Sequence, residues 1–129
     1  CTGAHLWSKR FGDASDQEGT DVAVVADGGV LVVGAFQGAI DLGGGALVSA
    51  GQRDAFVAKL DPAGAHLWSR RFGDAGAQQA LAAATDGAGN VLVAGSMTGT
   101  VDFGGGNLAS AGAEDLFVVK LDPAGAHLW

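Results

Sequence analysis

Residues 59–68, Lys59-Leu60-Asp61-Pro62-Ala63-Gly64-Ala65-His66-Leu67-Trp68, return unchanged 61 positions later as Lys120-Leu121-Asp122-Pro123-Ala124-Gly125-Ala126-His127-Leu128-Trp129. The middle of this stretch has the residue order of a type I turn. Asp61 stands first, Pro62 with its fixed φ second, and Gly64 fourth. The apolar run Phe56 to Leu60 enters the turn and His66 to Phe72 leaves it, so the stretch predicts a pair of antiparallel strands. Trp68 and Phe72 are four apart and share one face of a strand. A strand–turn–strand unit recurring at a fixed spacing predicts a tandem β repeat.

The repeat extends outward from this stretch. Sliding residues 4–64 onto 65–125 without a gap gives 35 identities in 61 pairs. His5, His66 and His127 fall in line, as do Trp7, Trp68 and Trp129. The chain therefore divides into residues 1–12, the end of a preceding repeat; 13–73, a first full repeat; and 74–129, a second repeat with its last strand truncated. Cys1 aligns with Pro62 and so takes an ordinary turn position instead of that of a lipid-modified lipoprotein cysteine. A segment cut from a longer array is the expectation.

Within one repeat, Val22 to Ala26 is a first strand and Asp27-Gly28-Gly29 a turn. Val30-Leu31-Val32-Val33-Gly34 is a second strand, apolar on both faces and so expected to be covered on both. Phe56 to Leu60 and His66 to Phe72 are the third and fourth. Helix propensity alone would favour Gln78 to Ala84 as a helix. Its partner in the first copy, residues 17–23, runs into Val22 to Val25, and duplicated units keep one fold, so strand is predicted. Gly38 to Leu47 reads as an extra hairpin turning at Gly43-Gly44-Gly45, with a long loop as the other reading. The predicted class is all-β, tandem four-stranded antiparallel blades of the β-propeller type. Small residues stand on the strands that would crowd an axis, and Trp and Phe on the last strand. A stacked β-solenoid is the alternative.

Composition agrees with packed sheets. Apolar residues make up 48% of the chain, with 23 Gly, six Phe, three Trp and no Tyr, and mean hydropathy is +0.27. These values argue against disorder. Net charge is −7 and no basic stripe exists, which disfavours a nucleic-acid partner and an anionic membrane surface. No apolar run approaches the ~20 residues of a membrane-spanning helix. A single cysteine builds no disulfide framework.

Asp54-Ala55-Phe56-Val57-Ala58-Lys59-Leu60-Asp61-Pro62-Ala63-Gly64, together with Asp86-Gly87-Ala88-Gly89-Asn90-Val91-Leu92-Val93-Ala94-Gly95, resembles the bacterial SBBP-type β-propeller repeat. Phe103-Gly104-Gly105-Gly106 before Ser110-Ala111-Gly112 is similar to versions found in large myxobacterial and related surface proteins. The resemblance covers nearly the whole chain. It implies a propeller, an extracellular or cell-envelope setting, and a binding or structural role without catalytic residues. Two repeats fall short of the roughly 4 to 8 blades of a closed propeller.

Candidate chemistry is sparse. The run Asp13-Ala14-Ser15-Asp16-Gln17-Glu18-Gly19-Thr20-Asp21 spaces oxygen ligands as a calcium loop does, making Asp13, Ser15, Asp16 and Glu18 the metal candidates. Glu18 falls where an EF-hand needs glycine, and the second copy replaces most of the run, so a solvated loop is the expectation. The three histidines, at one equivalent position, read as solvated turn-edge residues. Ser8 and Ser69 each follow a His by three residues, which in a regular strand places the two on opposite faces. Asp54, Lys59, Asp115 and Lys120 read as an Asp–Lys brace within each unit. The glycine triplets lack the following helix that phosphate binding requires.

The sequence thus predicts a non-catalytic scaffold making protein or glycan contacts, with no cofactor. One alternative is an excised or designed unit that self-associates into a ring or filament, and another is part of a propeller enzyme. The expected partners are further copies of the repeat or the chain itself.

Overall fold

The structure is a computed structural model and describes residues 2–129; Cys1, with the turn position assigned to it, lies outside the described residues. Strands β1 (Gln17–Val24), β2 (Val30–Phe36), β3 (Ala39–Asp41), β4 (Ala46–Val48), β5 (Asp54–Leu60) and β6 (His66–Phe72) come from the first repeat. Strands β7 (Gln78–Thr85), β8 (Val91–Met97), β9 (Thr100–Asp102), β10 (Asn107–Ala109) and β11 (Asp115–Leu121) come from the second. All pairing between these strands is antiparallel. Helix is absent among the described residues, and so is any helix long and apolar enough to cross a membrane. Gln78–Thr85 is a strand despite its helix formers, because its amides and carbonyls pair with β8 along the whole segment.

The first sheet has four strands in the order β1-β2-β5-β6, and the second has three in the order β11-β8-β7. In each, a short hairpin leaves the end of the second strand and turns at the glycine triplet: β3 with β4, and β9 with β10. Among the described residues the sheets close no ring and form no solenoid coil.

Alternation gives each sheet two chemically different faces. One face of the first sheet, called leading here, carries Leu31, Val33, Ala55, Val57 and Phe72. It packs on the opposite, trailing face of the second sheet, which carries Val91, Val93, Met97, Phe117 and Val119. The small side chains of Ala55 and Ala80 let the backbones approach. Phe72, Phe103 and Phe117 seal the outer end of this junction, with ring centroids 4.9 and 4.6 Å apart in succession. The part of the trailing face of the first sheet formed by β5 and the end of β2 is covered by its own hairpin, while the β1 part is not. Ile40 and Leu42 lie on Phe36, Phe56 and Ala58, and Phe11 packs beside them.

Two expectations about the strands are corrected. Residues 3–12, in the stretch read as the end of a preceding repeat and so expected to be its last strand, form no strand. The acidic run is not one solvated loop: Gln17 to Asp21 belongs to β1, paired with Phe36 to Val33 around a bulge at Thr20. At the other end, Ala126 to Trp129 begins a fourth strand on β11 by a bridge between Leu121 and His127.

Candidate interaction surface

The Asp-Pro-Ala-Gly turn is built as its residues predict. The Gly64 amide donates to Asp61 O at 2.9 Å and Asp61 Oδ1 accepts the Ala63 and Ala65 amides; Asp122 repeats this with Gly125, Ala124 and Ala126. Gly64 and Gly125 have φ of 78° and 80°, the left-handed region that a side chain disfavours. A second constraint is an indole. A Cβ on Gly64 would lie 2.9 Å from Cδ2 of Trp7, and one on Gly125 would lie 2.8 Å from Cε3 of Trp68.

Each turn is therefore the seat of a tryptophan from the preceding repeat. Trp7 Nε1 donates to Pro62 O at 3.0 Å and Trp68 Nε1 to Pro123 O at 2.9 Å. Arg70 adds Nε to Gly125 O at 3.1 Å and stacks its guanidinium 5.8 Å from the Trp68 ring centroid. Trp7 and Phe11 thus sit on the first sheet as Trp68 and Phe72 sit on the second. Residues 2–12 make the contacts of an outer strand without its ladder.

Polar links across the junction reinforce it. The bulge in β1 aims Thr20 Oγ1 at Ala80 O, 2.6 Å away, and Asp21 Oδ2 accepts the Ala83 amide at 2.8 Å. That amide and the amide of Val22 hold the Asp21 carboxyl below its ordinary pKa. The Gln78 amide donates to Arg53 O at 2.7 Å and Gln79 Nε2 donates to Glu18 Oε2 at 3.4 Å, while Glu18 also pairs with Arg53 inside the first repeat.

The metal candidates do not converge. Asp13 Oδ1 accepts the Ser15 amide and Gln17 Nε2, while Oδ2 accepts the Ala39 amide. The backbone donors of Ser15 and Ala39 lower its pKa most. Glu18 turns to Arg53, and Asp16 contributes a backbone carbonyl to the Gln37 amide. Asp74 repeats the role of Asp13, accepting from Gly76, Gln78 and Thr100. Burial raises its pKa, but the donors outweigh that and lower it. Both aspartates are latches tying the inter-repeat loop to the hairpin. The shared spacing of Asp13 with Gln17 and Asp74 with Gln78 was the available signal. Among the described residues, no group of three or more His, Cys, Asp or Glu is placed to share a metal ion.

Three further readings are corrected. Asp54 does not brace Lys59; it is fully buried and pairs with Arg71, while Lys59 reaches Asp27 at 3.1 Å and Lys120 reaches Asp86 at 2.8 Å. Residues 54 and 59 are an odd number apart on one strand and so face opposite ways. Lys120 and the Asn90 side chain hold the Asp86 carboxyl far below its usual range, and the Gly29 amide with Lys59 lowers Asp27. His66 and Ser69 do not point apart, since Nε2 and Oγ are 3.1 Å from each other. The bulge at Leu67, opposite Lys59 and Leu60, breaks the alternation and returns both to the trailing face. His66 is also half-buried, not solvated, because its ring covers Gly44 of the hairpin.

Two apolar faces remain uncovered. The leading face of the second sheet shows Leu116 at 75% and Val118 at 46% exposure, and the trailing face of the first shows Val22 at 61% and Val24 at 72%. Comparison with protein-family models finds no match, and comparison with curated proteins finds none.

Proposed function

We propose that this chain is a non-catalytic scaffold segment: two tandem blades of a β-propeller-type array whose two open faces engage further blades or further copies of the chain. The observation that carries the reading is the repeated Trp-on-turn contact. Trp7 meets the first sheet as Trp68 meets the second, so the stacking rule between the two sheets also operates at the N-terminal side of the first. A stacking rule obeyed twice suits an array. The resemblance to SBBP-type repeats supports an extracellular or cell-envelope setting and contacts with protein or glycan. The His–Ser pair supports a structural role over a catalytic one, since it recurs as His5 with Ser8 at 3.3 Å; a recurring pair reflects repeat geometry.

Exposed apolar sheet faces favour association. Sedimentation velocity of the 129-residue chain at micromolar concentration is expected to show species larger than the monomer. A folded monomer that binds no hydrophobic dye would overturn the proposal.

A further inference from the structure

The sequence holds two Asp-Gly pairs, Asp27-Gly28 and Asp86-Gly87, and no Asn-Gly pair. A glycine after an aspartate lets the backbone nitrogen reach the side-chain carboxyl, because no Cβ stands in the way and the backbone turns freely. The nitrogen attacks Cγ and a C–N bond forms. The carboxyl hydroxyl leaves with the amide proton as water, and a five-membered succinimide results. Water then opens the ring at either carbonyl. One opening restores aspartate, and the other leaves isoaspartate, with the chain running through the side chain. Only water is consumed, so the two pairs differ in reactivity through local structure alone.

Both pairs lie in the turn between the first two strands of their repeat, at different places in it. Asp27 is third in the turn closed by the Gly28 amide on Val25 O at 2.9 Å, and Asp86 is first in the turn closed by the Gly89 amide on Asp86 O at 3.0 Å. The equivalent lysines, Lys59 and Lys120, reach the carboxylate in either place. What else holds it differs. Asp86 Oδ1 accepts the Ala88 amide at 3.0 Å and the Asn90 amide at 2.9 Å, and Oδ2 accepts Asn90 Nδ2 and Lys120 Nζ, each at 2.8 Å. Four donors fix both of its oxygens. Asp27 has two, the Gly29 amide at 2.9 Å and Lys59 Nζ at 3.1 Å. Its side chain is 58% exposed, against 31% for Asp86.

Cyclisation requires the carboxyl to rotate toward the next nitrogen and to carry a proton as the hydroxyl leaves. Lys120 and the Asn90 side chain oppose both steps at Asp86, since they pin the group and keep it ionised far below the usual carboxylate range. One contact acts the other way: the Gly28 amide is engaged by Val25 O, whereas the Gly87 amide donates to nothing among the described residues. That is one neutral bond in a turn where Ala26, Asp27 and Gly28 are all exposed, against two additional donors on Asp86. The shorter of the two lysine bonds is also at Asp86, and charged bonds are the stronger kind.

We infer that Asp27-Gly28 is the site at which this chain forms isoaspartate, and that Asp86-Gly87 is protected by the hydrogen bonds its carboxylate accepts. Isoaspartate at position 27 adds one carbon to the backbone of the turn joining β1 to β2 and moves the carboxylate away from Lys59.

Ageing the full chain near neutral pH tests this. Water enriched in heavy oxygen labels each carboxylate opened from a succinimide, and peptide mapping by mass and fragmentation locates the label and the isoaspartate. Several-fold more of both is expected at position 27 than at position 86. Equal amounts, an excess at 86, or none at either position overturns the inference. In concentrated urea, with both turns undone, the two positions are expected to converge; a gap that persists there assigns the preference to neighbouring residues and overturns the role of the fold. Asn90→Ala removes one side-chain donor from Asp86 and is expected to raise the label at 86 several-fold in the folded chain. No rise overturns the protection. The unaltered chain decides the site whether or not that variant folds.

Discussion

The leading faces of the two sheets are apolar at the same four positions, two of them with the same residue, and meet opposite fates. In the first sheet Leu31, Val33, Ala55 and Val57 are all within 1% of complete burial. In the second, Leu92, Ala94, Leu116 and Val118 stand at the same four positions, with Leu92 and Ala94 half-buried and Leu116 and Val118 exposed. Pattern and backbone agree between the two, so the neighbour decides burial, not the residue. The face that has a neighbour also has Ala at position 55, where its counterpart has Leu116. A closely packed junction wants the small side chain, and an open face tolerates the large one.

The largest effect is expected from Phe72→Ala. Phe72 is 7% exposed and touches both sheets, so its loss opens a cavity worth about 3–5 kcal/mol. Phe11→Ala, at the half-buried equivalent on the first sheet, is expected to cost clearly less. Urea denaturation of the two variants measures the gap, and equal losses would break the comparison. Next comes Ala55→Leu, which puts the second sheet's residue into the packed junction and overfills it by about 1–3 kcal/mol. Its mirror, Leu116→Ala, is expected to leave monomer stability within about 0.5 kcal/mol. If both changes were neutral, the junction would be looser than its contacts indicate.

A smaller effect is expected for Trp68→Phe, which removes the indole donor to Pro123 O while keeping a ring, at about 1 kcal/mol. The fluorescence of the remaining indoles and the urea midpoint report it together. The smallest is Ser69→Ala, which removes the half-exposed partner of His66 at about 0.5–1 kcal/mol. A loss several-fold larger would show that the His66 pairing holds the glycine hairpin in place.

Much of this was legible beforehand. The 61-residue period, the Asp-Pro-Ala-Gly turns, the hairpin at Gly43-Gly44-Gly45 and the strand at Gln78–Thr85 all follow from local chemistry or from the demand that copies share a fold. The bulges were not legible. Nothing in His66-Leu67-Trp68 announces that Leu67 is an extra residue, and that one insertion turns Ser69 toward His66. The partners of Asp54 and Lys59 were misread because each finds its ion pair 17 or 32 residues away, on another strand or turn.

Sequence alone determined the repeat, the turns and the alternation of faces in the unbulged strands, since these depend on residue spacing and on backbone preferences that act within a few positions. Tertiary structure alone decided which face is covered, which carboxylate meets which cation, and that a tryptophan from one repeat rests on the turn of the next. The ion pairs join residues 17 to 35 positions apart and the tryptophan contacts residues 55 apart, and their energy exists only once strands, turns and sheets have come together.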